Sequence, residues 1–179
     1  MIYAKNAKER LAESALELLP RHSVESITVA QISKNCGLST RTFYNNFKDK
    51  YDLFIWIYQQ ELEKNYNDNL DHMGFRTLLR CAGRILVDYK DFFSHYQRYR
   101  GQNHFHNSVF QPLMSYYIRV IQEVFRDPIT PEIRESLEFF VLGTIEYVDQ
   151  CYQQGGLRPL DETVEMFTRV MPENLKKYL

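Results

Sequence analysis

The sequence predicts an all-α protein. Apolar residues recur at helical spacing along most of the chain, and no stretch shows the sustained alternation expected of a strand. The 7 glycines and 6 prolines lie mostly between these periodic segments, where they would end helices. We expect about nine helices, which cover approximately residues 6–19, 28–35, 39–46, 50–69, 75–90, 91–99, 108–126, 131–154 and 160–171.

The pattern changes near residue 50. Before it the helices are short and joined by tight turns, the first of them stopping at Pro20, whose ring opposes continuation. After it they are long and rich in aliphatic and aromatic residues. We therefore predict an N-terminal domain of three helices over residues 1–50, continuous with a helical bundle over 51–179. The helix that starts near Lys50 belongs to both, which would let movement in the bundle reach the N-terminal domain.

Composition is that of an ordinary globular protein, with 44% hydrophobic residues and a net charge of −1. No apolar run approaches the roughly 18 residues that a membrane span needs, and the N-terminus has no secretory signal pattern. Cys36, Cys81 and Cys151 are too few and too widely spaced for a disulfide framework or a zinc knuckle. We expect a cytoplasmic protein with reduced thiols and no membrane partner.

The sequence lacks the common catalytic and metal-binding motifs. The sequence has no phosphate-binding loop, no Gly-x-Ser-x-Gly and no His-Glu-x-x-His. His104 and His106 are two histidines without an acidic or cysteine partner nearby, whereas zinc normally takes three or four ligands. We therefore predict no enzyme activity, no metal and no cofactor.

The segment from Thr28 to Lys50 has the pattern of a helix-turn-helix. Thr28 and Gln31 are spaced as a capping box at a helix start. Gly37 stands where the chain must turn sharply, and Ser39 can cap the next helix. On that second helix Phe43 and Phe47, four residues apart, would pack inward.

The rest of the second helix is polar in a way that suits DNA. Hydroxyl, amide and guanidinium groups bond phosphates and base edges, and this helix carries such groups at Thr40, Arg41, Thr42, Tyr44, Asn45 and Asn46. Asp49 would cap the following helix, whose free amides, with Lys48 and Lys50, would suit a phosphate. Up to residue 55 there are eight basic and six acidic residues, a mild positive excess. A simply solvated polar face remains the alternative at this point.

Four motifs carry a resemblance to a known family: Ala15-Leu-Glu-Leu-Leu19, Ile27-Thr-Val-Ala-Gln-Ile32, Cys36-Gly-Leu-Ser39 and Thr42-Phe-Tyr-Asn-Asn-Phe-Lys-Asp-Lys-Tyr-Asp-Leu53. They resemble the N-terminal domain of the TetR family of bacterial regulators. Trp56-Ile-Tyr, Tyr89-Lys-Asp-Phe-Phe and Gly101-Gln-Asn resemble its subgroup that contains the dihydroxyacetone kinase operon activator. The glycine usual between the first two helices is absent, and Pro20-Arg-His-Ser-Val stands there instead.

This resemblance implies a regulator that binds a pseudo-palindromic site on double-stranded DNA. It implies phosphate contacts from Thr28, Tyr44 and Lys50, and base or groove contacts from Thr40, Arg41, Thr42 and Asn46. Asn45 would serve either purpose, and Ser39 and Lys48 complete the predicted DNA-binding set. An architectural or division-related DNA-binding protein of the same fold is the alternative function.

The resemblance also implies a homodimer formed by the last two helices. The apolar stripe predicts an interface of Leu137, Phe140, Val141, Thr144, Val148 and Phe167, with Gly143 allowing close approach. Aromatic residues in the middle of the chain, chiefly Phe93, Tyr96, Tyr99 and Tyr117, either line an effector pocket or belong to the core. A small-molecule effector and a protein co-regulator are both compatible with the family, and the subgroup's activator is controlled through a protein partner.

Overall fold

The computed structural model describes residues 6–90 and 105–179, and the side chains of all of these except 105–108. The all-α prediction is confirmed for this part of the chain, which contains no strand. The predicted helix over 91–99 lies outside the described residues. The eight α-helices that the structure describes are α1 (Ala7–Leu18), α2 (Val29–Asn35), α3 (Thr40–Tyr44), α4 (Lys50–Asp68), α5 (Phe75–Asp88), α6 (Phe105–Arg119), α7 (Pro131–Gln153) and α8 (Leu160–Val170).

The chain divides into two compact units, Met1–Tyr58 and Gln59–Leu179, and α4 runs through the division. In the N-terminal unit, α1 begins at a capping box formed by Asn6 and Glu9 and ends two residues before Pro20. Apolar side chains from each helix and from the loop before α2 form the core of this unit. Those that are fully buried are Leu11, Ala15, Ile27, Ile32, Phe43 and Leu53.

The C-terminal unit is built on α5, α6, α7 and α8 with the second half of α4. Gly83 lets α8 come close to α5, because a Cβ at this position would lie 2.6 Å from Leu160 Cδ1. A π-helical turn, Val120–Val124, follows α6. The chain ends in a 3-10 helix, Glu173–Tyr178, that the sequence pattern did not predict. Its Tyr178 is fully buried, with its ring centroid 5.3 Å from that of Phe75.

The predicted dimer residues lie in the core of this unit, which corrects that assignment. Each of Leu137, Phe140, Val141, Val148 and Phe167 is at most 9% exposed, and Thr144 is half-buried and donates to the Val141 carbonyl. The widest apolar stripe of an amphipathic helix faces the nearest core, which here belongs to the same chain.

The opposite face of α7 does carry exposed apolar groups. Phe139 is 79% exposed and Leu142 is 39% exposed. Gly143, beside them, has no atom within 4 Å of where a Cβ would stand. Among the described residues, no helix has both the length and the apolar character needed to cross a membrane.

Candidate nucleic-acid interface

The helix-turn-helix begins with the predicted capping box. Thr28 Oγ1 accepts a hydrogen bond from the Gln31 amide at 3.2 Å, and Gln31 Oε1 accepts one from the Thr28 amide at 2.8 Å. Two amides that a helix start leaves without partners are thereby satisfied, which sets the position where α2 begins.

The turn after α2 depends on Gly37, whose φ of 67° lies in the left-handed region that favours glycine. The Leu38 amide then reaches back to the Ser33 carbonyl at 2.8 Å. Two side chains of α1 bond to this region: an Arg10 guanidinium nitrogen donates to the Cys36 carbonyl at 2.6 Å, and Ser14 Oγ donates to the Ile32 carbonyl at 2.7 Å. Sequence reasoning missed both roles of α1, because a single arginine or serine on a helix gives no sign of a distant carbonyl.

Helix α3 is capped and anchored as predicted. The Thr42 amide donates to Ser39 Oγ at 3.0 Å, and the two hydroxyls lie 2.9 Å apart. Phe43 is fully buried and Phe47 is 3% exposed, with their ring centroids 5.7 Å apart. Phe43 is the one buried residue of α3, and the other side chains of this helix are exposed or half-buried.

These remaining side chains are mostly accessible. Thr40, Arg41, Asn45 and Tyr44 are exposed, Tyr44 by 61%. Thr42 and Asn46 are half-buried, and Asn46 Nδ2 donates to the Thr42 carbonyl at 2.8 Å. Residues 40–46 thus offer a guanidinium, hydroxyls and amides on α3 and directly after it, as direct readout in a major groove requires.

The start of α4 differs from the prediction. Asp49 caps this helix, as expected, and its Oδ1 accepts the amides of Tyr51 and Asp52 at 2.8 and 2.9 Å. The Lys48 amide is bonded to Asp52 Oδ2 at 2.9 Å. These amides already have acceptors, so the proposed phosphate site at this helix start is not supported by the geometry.

Lys50 also differs. Its ammonium donates to three backbone carbonyls, those of Val24, Glu25 and Ile27, at 2.8, 2.8 and 3.0 Å. A lysine has three N–H donors, so none is left for the predicted phosphate contact. Burial lowers the pKa of Lys50, and the nearby carboxylates of Glu25 and Asp49 oppose that shift.

Of the predicted effector-pocket residues, Phe93, Tyr96 and Tyr99 lie outside the described residues. Tyr117 is 2% exposed, and its ring lies edge-on to Phe75 with centroids 4.7 Å apart. Its surroundings are therefore those of a core residue. His104, considered as a metal ligand, is likewise outside the described residues, as is the side chain of His106.

A capped helix, a left-handed glycine turn and a second capped helix with a polar outer face define a helix-turn-helix DNA-binding domain. The comparisons with known proteins agree with this class. Residues 11–56 match the model of the family described as "Bacterial regulatory proteins, tetR family". The N-terminal domain of this chain is therefore similar to that of bacterial regulatory proteins of the tetR family.

Curated relatives match part of the chain. The HTH-type dhaKLM operon transcriptional activator DhaS of Lactococcus lactis subsp. lactis (strain IL1403) is 26% identical over 83 residues, which are 46% of this chain and 44% of the relative. An HTH-type transcriptional regulator of Staphylococcus aureus (strain USA300) is 37% identical over 60 residues, 34% of this chain and 32% of the relative. The matched part thus spans less than half the length of each of these relatives.

Solved structures share the fold over nearly the whole chain. The dihydroxyacetone kinase operon activator DhaS superposes with a TM-score of 0.66 at 18% identity, covering 96% of this chain and 97% of that one. The TetR-family repressor FadR of Thermus thermophilus, solved with lauroyl-CoA, has a TM-score of 0.66 at 17% identity, covering 92% of each chain. At these identities the likeness shows the fold of the C-terminal bundle and leaves its ligands open.

Proposed function

We propose that this protein regulates transcription by binding a specific pseudo-palindromic DNA site as a homodimer. The observation that carries the proposal is the outer face of α3, where Thr40, Arg41, Tyr44 and Asn45 are exposed on a helix whose cap and two phenylalanines hold it in place. Base readout is assigned to Thr40, Arg41, Thr42 and Asn46, and phosphate contacts to Thr28, Tyr44 and Lys48. Asn45 serves either purpose, and Ser39 caps α3.

Selection from a pool of random duplexes, followed by sequencing, tests this proposal. We expect an enriched motif with twofold symmetry, whose half-sites lie about one helical turn apart. Arg41→Ala should relax the preference at one position of each half-site and cost roughly 1–3 kcal/mol of binding free energy. Arg134→Ala, an exposed arginine on α7, is the control and should leave motif and affinity unchanged. A wild type that enriches no symmetric motif would refute specific operator binding.

The number of sites bound in a genome separates regulation from an architectural or division role. A regulator should occupy a few sites next to promoters, where such proteins commonly act beside their own coding region. Dispersed occupancy at many sites would favour the architectural alternative. Chromatin immunoprecipitation makes this measurement.

For the dimer we propose the outer face of α7, with Phe139, Leu142 and Gly143 at its centre. Two large exposed apolar side chains beside an uncovered glycine are suited to a second helix at close range. Phe139→Lys should convert dimers to monomers in light scattering, and operator affinity should fall with them. Val87→Lys, which changes an exposed apolar residue on α5, is the matched control. A wild type that is monomeric at micromolar concentration would contradict this interface.

Regulation is proposed to enter through the C-terminal domain, residues 51–179, and to reach the DNA-binding domain, residues 1–50, by way of α4. The support is the continuity of α4 from Lys50 to Asp68. An effector would act only by binding one conformation better than the other. Because FadR was solved with lauroyl-CoA, acyl-CoA molecules are the first ligands to test, by thermal shift and by repeated DNA titration. A ligand that shifts the melting temperature without changing operator affinity would count against this route. We also propose that the protein is cytoplasmic, because the DNA that it would bind lies in that compartment.

A further inference from the structure

We infer that Lys50 is a positioning residue that holds the start of α2 in place for DNA binding and does not itself contact a phosphate. This inference rests on the proposed DNA-binding function. The geometry that carries it is the convergence of the carbonyls of Val24, Glu25 and Ile27 on one ammonium group, all within 3.0 Å. Lys50 lies 23 to 26 residues further along the chain than these carbonyls.

The segment that Lys50 holds is well packed. Val24 is 1% exposed and Ile27 is fully buried, so the backbone between them cannot follow the ammonium outward without opening the core. Withdrawing Lys50 toward DNA would leave three carbonyls without this donor. The bonds to Val24 and Ile27 are partly buried and costly to lose, whereas the bond to Glu25 is exposed. A salt bridge to a solvated phosphate returns little of that free energy.

What the segment carries is the beginning of α2. Ile27 directly precedes Thr28, and Thr28 is both the N-cap of α2 and a proposed phosphate contact. Lys50, at the first residue of α4, therefore ties together the starts of the helices before and after α3. Its loss should shift Thr28 and the first amides of α2 relative to the DNA backbone.

Lys48 provides the comparison. It lies two residues before Lys50 and is exposed, whereas Lys50 is half-buried beneath its three carbonyls. If Lys48 meets a phosphate, it releases a counterion on binding, and Lys50 releases none. The two lysines should then differ in the dependence of affinity on salt.

The first experiment measures the salt dependence of operator binding for the wild type, Lys48→Met and Lys50→Met. Each lost phosphate contact reduces the slope of log K against log salt by about 0.9. Lys48→Met should reduce the slope by about 1.8, because a homodimer would lose two such contacts. Lys50→Met should keep the wild-type slope while its affinity falls on the order of tenfold. A slope reduced by Lys50→Met as much as by Lys48→Met would overturn the inference.

A double-mutant cycle with Thr28→Ala tests whether Lys50 acts through the start of α2. In the wild-type background Thr28→Ala should weaken binding about tenfold or more, because a hydrogen bond to a charged phosphate contributes about 1.5–3 kcal/mol. In the Lys50→Met background its effect should fall below twofold, because Thr28 is already displaced. Independent, additive effects would show that Lys50 affects stability alone, and would contradict the positioning role.

Lysine footprinting of the unaltered protein does not depend on the folding of any variant. Reductive methylation followed by mass spectrometry should label Lys50 slowly both with and without operator. It should label Lys48 quickly in the free protein and slowly in the complex. Rapid labelling of free Lys50 that DNA then suppresses would refute the inference. A wild type without specific operator binding would refute the proposed function, while slow labelling of free Lys50 would still hold.

Discussion

The two units of this molecule hold their helices in place by different means. In the N-terminal unit many of the decisive contacts are polar and short in sequence, such as Thr28 with Gln31 and Ser39 with Thr42. In the C-terminal unit they are apolar and distant, such as Gly83 against Leu160 and Phe75 against Tyr178. A polar cap fixes the end of a short helix and leaves its outer face free to bind a ligand. Apolar packing instead buries the helix face that makes the contact.

The largest expected effect is a loss of stability in the C-terminal unit, and α7 allows a buried and an exposed residue of one helix to be compared. Leu137→Ala should lower the free energy of unfolding by about 3 kcal/mol, because Leu137 is fully buried. Phe139→Ala, two residues away and 79% exposed, should change it by less than about 0.5 kcal/mol in the monomer. Urea denaturation at two protein concentrations separates core stability from dimer contacts. Equal losses at both positions would contradict the assignment of the two faces.

Two glycines test the contrast between local backbone and tertiary packing. Gly37→Ala should destabilise the N-terminal unit by about 1 kcal/mol, because its φ of 67° is strained for alanine while a Cβ meets only Arg10 at 3.9 Å. Gly143→Ala, inside α7 with open space around it, should stabilise the C-terminal unit by about 0.5–1 kcal/mol. Thermal unfolding measures both. The same Gly143→Ala should weaken the dimer, if its face is the interface.

The N-cap residues of α3 and α7 allow the same type of substitution to be compared in the two units. Ser39 and Thr130 each accept the amide three residues ahead, so either substitution to alanine should cost about 1 kcal/mol. Ser39→Ala should also weaken operator binding, since the cap sets the start of α3, whereas Thr130→Ala should not. Denaturation and DNA titration of both variants make the comparison, and equal DNA affinities would show that the cap does not position α3.

The smallest expected effect is a pH dependence in the C-terminal unit. A hydrogen bond from Tyr116 at 2.7 Å is the main cause of a lowered pKa at Glu63; Arg119, at 2.8 Å, lowers it further, and burial opposes both. A pKa lower in the folded than in the unfolded chain stabilises above the unfolded value, near pH 4.3, and this gain is lost as the pH falls through the folded value.

Glu63→Gln should therefore destabilise the protein at pH 7 and have a smaller effect at pH 3. Because the Glu63 side chain is 44% exposed, we expect well under about 1 kcal/mol. Glu138→Gln, an exposed glutamate on α7, is the control. A destabilisation by Glu63→Gln that is the same at both pH values would assign the effect to lost packing instead.

The helix-turn-helix was readable from the sequence because its signals are local. The capping box at Thr28, the turn at Gly37, the cap at Ser39 and the inward pair Phe43 and Phe47 each depend on neighbours within a few residues. The same reasoning missed Lys50, whose partners are carbonyls more than 20 residues earlier in the chain. The sequence around a lysine is the same whether its ammonium binds a DNA phosphate or the backbone carbonyls of a loop, so the pattern alone could not separate the two.

By itself the sequence determined the helical class, most helix limits and the polar outer face of α3, since periodicity, caps and turn residues act over a few positions. Only the tertiary structure decided what each helix face meets. The stripe through Leu137 and Val141 is apolar whether it packs on its own chain or on a second copy, and folding buried it in its own chain. The burial of Tyr178 near Phe75 was likewise invisible, because nothing near either residue in the sequence specifies a contact between the chain's end and its middle.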